Sequence, residues 1–91
     1  MKVVYLRGAL RDLESIRAFI ARDDPDAARR VVERIERSVD RLMALPLSGR
    51  AGGGGVRLLT VPNLPYLVIH RVGSDAIKIV AVFHTARNRR K

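Results

Sequence analysis

The sequence predicts an α+β fold: an N-terminal strand, a helical hairpin, then a three-stranded antiparallel meander, with all strands in one sheet packed on the helices. Three observations lead there. Apolar residues recur at helical spacing in two consecutive stretches between Ala9 and Met43. Asp23-Asp24-Pro25-Asp26 separates those stretches. After Gly55 the pattern changes to short β-branched runs joined by tight turns, and strands joined in that way are antiparallel.

Val3-Val4-Tyr5-Leu6 reads as the first strand, broken by Gly8. Ala9, Leu13, Ile16 and Ile20, with Phe19 beside them, mark one helical stripe, which leaves Arg11, Asp12, Glu14 and Arg17 for water; the helix should end near Arg22. Asp24 is placed to cap the second helix by accepting backbone N–H bonds. Pro25 suits its first position, and Asp26 adds negative charge at the positive end of the helix dipole. That helix presents Ala28, Val31, Val32, Ile35, Val39, Leu42 and Met43 on one side and is stopped by Pro46. Two apolar stripes on so short a link must pack together as a hairpin.

Ser48 to Gly55 ends in four consecutive glycines and reads as a flexible loop. A phosphate-cradling Walker loop would continue Gly-Lys-Ser/Thr into a helix; the strand-like Val56–Val61 follows instead. Pro62-Asn63-Leu64-Pro65 is a turn. Tyr66–Val72 is apolar on both faces and is expected to be a central strand covered on both sides. Gly73-Ser74-Asp75 forms a tight turn into the last strand, Ala76–Phe83. Strict alternation would turn Ile77, Ile79, Ala81 and Phe83 toward the helices and Lys78, Val80, Val82 and His84 away from them.

A chain of 91 residues is expected to form a single domain, residues 1–91, whose basic end from 85 to 91 frays. It has no cysteine, and a secreted domain of this size usually needs disulfides. The N-terminus lacks a signal-peptide pattern, and no apolar run approaches the ~18 residues of a membrane span. The expected location is cytoplasmic, away from membranes. The net charge of +9 is uneven: residues 1–45 hold ten bases and eight acids, residues 46–91 eight bases and one acid, Asp75. The first half is ordinary mixed-sign helix surface, whereas the second is a single-sign field that attracts phosphates, acidic protein segments or anionic membrane surfaces.

Within that second half Arg50, Arg57, Arg71, His84 and Arg87 are the candidate functional residues, expected to gather in one basic groove where antiparallel strand ends meet. Arg71, in an apolar strand, must reach a carboxylate, a carbonyl or a solvated groove. No metal site is expected: His70 and His84 have no cysteine partners and only Asp75 nearby. Nothing points to a cofactor. There is no Ser-His-Asp signature and no pair of carboxylates in the basic half.

Several short motifs occur in order along nearly the whole chain: Ala9-x-x-Asp12-Leu13-x-x-Ile16-x-x-Phe19-Ile20, Asp24-Pro25-x-Ala27-Ala28, Leu42-x-x-Leu45-Pro46-x-x-Gly49-Arg50, Arg57-x-Leu59, Pro65-Tyr66-Leu67-Val68-Ile69-x-Arg71-Val72 and Ile77-x-Ile79-x-x-Val82-x-His84-x-x-Arg87. Together they resemble the ParE branch of the RelE/ParE toxin superfamily. The resemblance implies the same fold and a toxin of a type II toxin–antitoxin system. It also implies a cognate acidic ParD-like antitoxin that wraps the toxin in a hetero-oligomer, against the hairpin and the basic sheet face. ParE-like members inhibit DNA gyrase by binding it, which implies no catalytic residues here and assigns Arg50, Arg57, Arg71 and Arg87 to the target or its phosphates. RelE-like members cleave mRNA on the ribosome; on that alternative His84 is the acid/base and Arg57, Arg71 and Arg87 clamp phosphate. No aromatic follows Phe83 and no lysine occurs in residues 46–77, which favours the gyrase reading. His70 stands where ParE-like sequences commonly carry an aromatic, and packing is its expected role.

Overall fold

The structure, a computed structural model, describes residues 1–86. Five strands, β1 (Lys2–Tyr5), β2 (Arg50–Ala51), β3 (Arg57–Thr60), β4 (Tyr66–Val72) and β5 (Ala76–His84), and two helices, α1 (Arg7–Ala21) and α2 (Pro25–Asp40), make up the fold. The strand order is β1-β5-β4-β3-β2. The chain leaves the sheet after β1 and crosses one face as the hairpin. It re-enters at the far edge and meanders back until β5 lies beside β1. That return makes the β1–β5 pair parallel, so the sheet is mixed, while β3 to β5 are antiparallel neighbours as expected and β2 adds antiparallel to β3. The two-residue β2, within the segment expected to be loop, is too short to leave a periodic signal.

The helices form where the apolar period places them. In α1, Ala9, Leu13 and Ile16 are buried. Phe19 stays 47% exposed, with the Arg22 guanidinium 5.7 Å from its ring centroid. Asp24 caps α2, its carboxylate accepting from Ala27 N–H at 3.1 Å, and Pro25 opens the helix. Ala28, Ile35 and Val39 are buried, followed by Leu42 in a 3-10 turn at Arg41–Met43. That tightening swings Met43 off the packing stripe to which the sequence assigned it, and it is half exposed. The helical side chains meet Tyr66, Val68, Ile77, Ile79 and Val82 of the sheet in one core.

The hairpin covers one face of the sheet only. Tyr66, Val68 and His70 of β4 are buried beneath it; Leu67 and Ile69 are half-buried and Arg71 exposed on the other side. β4 is therefore central but not covered on both faces, because both helices lie on the same side.

β5 does not alternate uniformly. Ile79 lies opposite His70 and Ala81 opposite Ile69, so Val80 is an extra, bulged residue. The bulge reverses the phase of everything beyond it. Ile77 and Ile79 face the helices before it and Val82 after it, while Phe83, expected inside, is 39% exposed. The bulge falls where β1 ends: Tyr5 pairs with Ile79, and Leu6 N–H donates to the Ile79 carbonyl at 2.9 Å. Past that point the Val82 N–H has no β1 partner and donates instead to Oδ2 of Asp12 on α1, at 2.9 Å. Asp12 is thus a structural acceptor rather than a solvent-facing residue. The Thr85 N–H donates to the Pro65 carbonyl at 2.8 Å and ties the end of β5 to the preceding turn; of the fraying expected over residues 85–91, the part from residue 87 lies outside the described residues.

Removing this acceptor leaves a buried amide unsatisfied. Asp12→Ala should lower stability by about 1–3 kcal/mol in urea unfolding, whereas Asp12→Asn, which keeps a carbonyl acceptor, should lose less than half as much. Equal losses in the two variants would mean that the bond contributes little.

Candidate functional site

The helix-free face of the sheet is apolar at its centre and basic at one end. Leu58, Ile69 and Ala81 form one cross-strand row, and Thr60, Leu67 and Phe83 the next. Arg50 lies opposite Leu58 at the sheet edge, and Arg71 pairs with Lys78 on the other side of the first row. The sequence did not single out Leu58, Leu67 and Phe83. Alternation alone would have identified Leu58 and Leu67, but Phe83 reaches this face only through the bulge.

Arg71 finds the carbonyl that its strand position requires: Nη1 donates to the Gly54 carbonyl at 2.6 Å. The glycine run is therefore folded rather than open. Gly52 N–H donates to the Val56 carbonyl at 2.9 Å, and Gly53–Gly55 turn over Arg71 with Gly54 at φ of +70°. Gly55 has φ of +78°, and a Cβ there would stand 3.2 Å from Arg71 Nη1. Gly49 is more constrained still. Its φ is +87° and a Cβ would lie 2.2 Å from the Leu58 carbonyl oxygen, so only glycine lets Arg50 reach its pairing position.

Arg57 belongs to the opposite face. It pairs with His70, is half-buried, and donates from Nη2 to the Gly49 carbonyl at 3.2 Å. His70 is fully buried; its Nε2–H donates to the Pro46 carbonyl at 3.1 Å, while Nδ1 is buried with no hydrogen-bond partner. Burial pushes the His70 pKa below its ordinary value, the Pro46 carbonyl opposes that, and the Arg57 charge adds to the lowering. A neutral imidazole therefore holds the 46–49 segment to the sheet.

His84 stands at the other end of β4. It is paired with Tyr66, the two rings meeting edge to face at 5.2 Å, and its Nδ1 accepts from Ala86 N–H at 3.1 Å. Tyr66 and Arg71 are five strand positions apart, roughly 17 Å. The expected single basic groove therefore does not form among the described residues. Register places Arg57 on the helix side and Arg50 and Arg71 on the open side, and His84 is a strand's length away. Arg87 lies outside the described residues.

A helical hairpin on one face of a mixed sheet, with the other face open and basic at one end, defines a small toxin of the RelE/ParE superfamily. More narrowly, the chain belongs to the ParE toxin family: the sequence model described as "ParE toxin of type II toxin-antitoxin system, parDE" matches residues 3–89. It is 46% identical over 77 residues to the "Putative toxin Y4kP" of Sinorhizobium fredii, covering 84% of this chain and 79% of that protein. It is 36% identical over 87 residues to "Toxin RelE2" of Caulobacter vibrioides, covering 94% and 97%. A chain of the solved "Chromosomal ParDE TA system from P. aeruginosa" superposes with a TM-score of 0.81 at 28% identity, covering 92% of this chain and 95% of that one. The expected family and fold hold. No helix among the described residues is long and apolar enough to cross a membrane.

The buried imidazole predicts a pH effect. Above the unfolded value of 6.5 His70 is neutral in both states and its contribution to stability is fully present. As pH falls below that value the unfolded chain binds a proton that the folded one resists, and stability drops until the folded pKa is reached. His70→Phe should show a smaller fall in Tm between about pH 8 and pH 5 than the wild type. Parallel falls would show that His70 protonates freely in the folded state.

Proposed function

We propose that this chain arrests growth in the cytoplasm by binding DNA gyrase, without chemistry of its own, and is neutralised by a small acidic ParD-like antitoxin. One observation carries the reading: His84, the acid/base that a nuclease would use, is packed against Tyr66 at the far end of β4 from Arg57 and Arg71. Activating a 2′-hydroxyl and clamping the adjacent phosphate need both functions within hydrogen-bond reach of one group. Binding needs no such convergence. The open sheet face, apolar in the middle with Arg50, Arg71 and Lys78 at one end, suits an amphipathic acidic segment of the antitoxin. The ParDE assembly of the structural relative supports a partner of that kind.

Ribosome-dependent mRNA cleavage is the second reading. It draws on the likeness to a protein named Toxin RelE2 over nearly its whole length.

The purified toxin should inhibit gyrase supercoiling, and the product of the neighbouring gene should relieve the inhibition. His84→Ala should leave inhibition within about twofold, whereas loss of an acid/base group would reduce cleavage ~10²–10⁴-fold. Folded, antitoxin-free protein that spares gyrase but cuts mRNA in a translating extract would overturn the proposal.

A further inference from the structure

Away from the open sheet face, α2 carries a second concentration of charge. Arg30, Arg34, Arg37 and Arg41 follow one another at i, i+4, i+7 and i+11. At 100° per residue they fall within about 60° of one another around the helix, and they extend ~16 Å along it. Three of them line a recess between α2 and the β3–β4 turn, about 100 Å³ in volume, whose other walls are Ser38, Val61 and Pro62. On the same measure a single water needs only roughly 10–15 Å³.

The recess is partly pre-organised. Arg34 Nη2 donates to the Pro62 carbonyl at 2.9 Å, and Arg41 Nη2 to Ser38 Oγ at 3.3 Å, with Ser38 itself 3% exposed. The side chains of Arg30 and Arg37 have no hydrogen bond or ion pair among the described residues. The acids of α2 are turned elsewhere. Asp26 and Glu33 pair with Arg29. Glu36 and Asp40 lie toward Tyr5, whose hydroxyl is pushed up to about 12 by its burial first and then by those two charges. The stripe is thus a row of guanidinium forks with which no carboxylate forms an ion pair among the described residues.

We infer that this stripe is a binding site for the phosphodiester backbone of a nucleic-acid strand, with one phosphate seated in the Arg34–Arg37–Arg41 recess. The chemistry selects the ligand. Guanidinium forks match phosphate oxygens bidentately, and a tetrahedral group offers acceptors to several forks at once, where a carboxylate satisfies one. The length of the stripe, ~16 Å, selects a polyanion over a single ion, since Arg30 belongs to the stripe but not to the walls of the recess. No base-reading group accompanies the arginines, so binding should depend on salt and not on sequence. The site does not depend on gyrase being the target.

The guanidinium groups of Arg30 and Arg37 make no intramolecular bonds among the described residues, so Arg30→Gln/Arg37→Gln should fold normally, as circular dichroism would verify. The matched control is Arg7→Gln/Arg11→Gln, which removes the same charge from α1. Anisotropy of labelled duplex and single-stranded oligonucleotides should show the stripe variant binding on the order of tenfold more weakly than the control. Its plot of log affinity against log salt should be shallower by roughly 1.8 for duplex or 1.4 for single strands. Equal losses in both variants would reduce the effect to net charge and overturn the site. Two further outcomes would also overturn it: inorganic phosphate alone shifting Arg37 resonances while oligonucleotides fail to bind, or the stripe variant losing antitoxin but not oligonucleotide.

Discussion

The two faces of this sheet depend on the phase of β5. One extra residue, Val80, sits where β1 stops and α1 begins, and everything beyond it is turned over. Without the bulge Phe83 would point into the core and Val82 out of it. With it, the inner face continues as Ile77, Ile79 and Val82, and the outer face gains an aromatic beside Leu67. Asp12 holds the arrangement by taking the amide that β1 is too short to reach. A helix side chain thereby fixes the registry between hairpin and sheet, and that registry decides which residues a partner can meet.

Arginine is used here as an anchor for loops, through carbonyls and not through carboxylates. Arg34 holds the β3–β4 turn at Pro62, Arg57 holds Gly49, and Arg71 holds Gly54. A charged donor to a carbonyl is worth ~1.5–3 kcal/mol when buried and less at an exposed site. Such a bond leaves the positive charge uncancelled. The same side chains that order the loops therefore still contribute to the field around the molecule.

The helices, the Asp24 cap with Pro25, the proline stop and the three meander strands were legible because each is a local pattern of period, cap or turn. The family was legible because several such motifs recur in order. What the sequence did not disclose is non-local. The parallel β1–β5 pair follows from the route of the chain, not from any residue in β1. The bulge at Val80 depends on α1 crossing at that point. The grouping of Arg57 with His70, and the separation of both from His84, follow from register, whereas linear order had suggested one groove. The α2 stripe was present as spacing, but the acids interleaved with it gave the helix the look of an ordinary mixed-charge surface. Only when Glu36 and Asp40 are seen near Tyr5, and Asp26 and Glu33 beside Arg29, does the arginine edge emerge as one sign.

The placement of charge also explains how so basic a chain tolerates its own field. The ion pairs among the described residues, Arg17–Glu14 and Arg29 with Asp26 and Glu33, are all on exposed helix surface, where such pairs contribute ~0–1 kcal/mol. They do not hold the fold together; the apolar layer between hairpin and sheet does. Two groups of cations, Arg50, Arg71 and Lys78 on the open sheet face and Arg30, Arg34, Arg37 and Arg41 along the α2 edge, lie on opposite sides of that layer. At 0.1 M salt, where the Debye length is roughly 10 Å, screening weakens the repulsion between groups held apart in this way. An acidic protein on the sheet face would accordingly leave most of the field at α2 in place. Arg71 on the sheet face and Arg34 on the α2 edge still anchor their loops, so the charge that each surface carries outward is held by bonds that also order the fold.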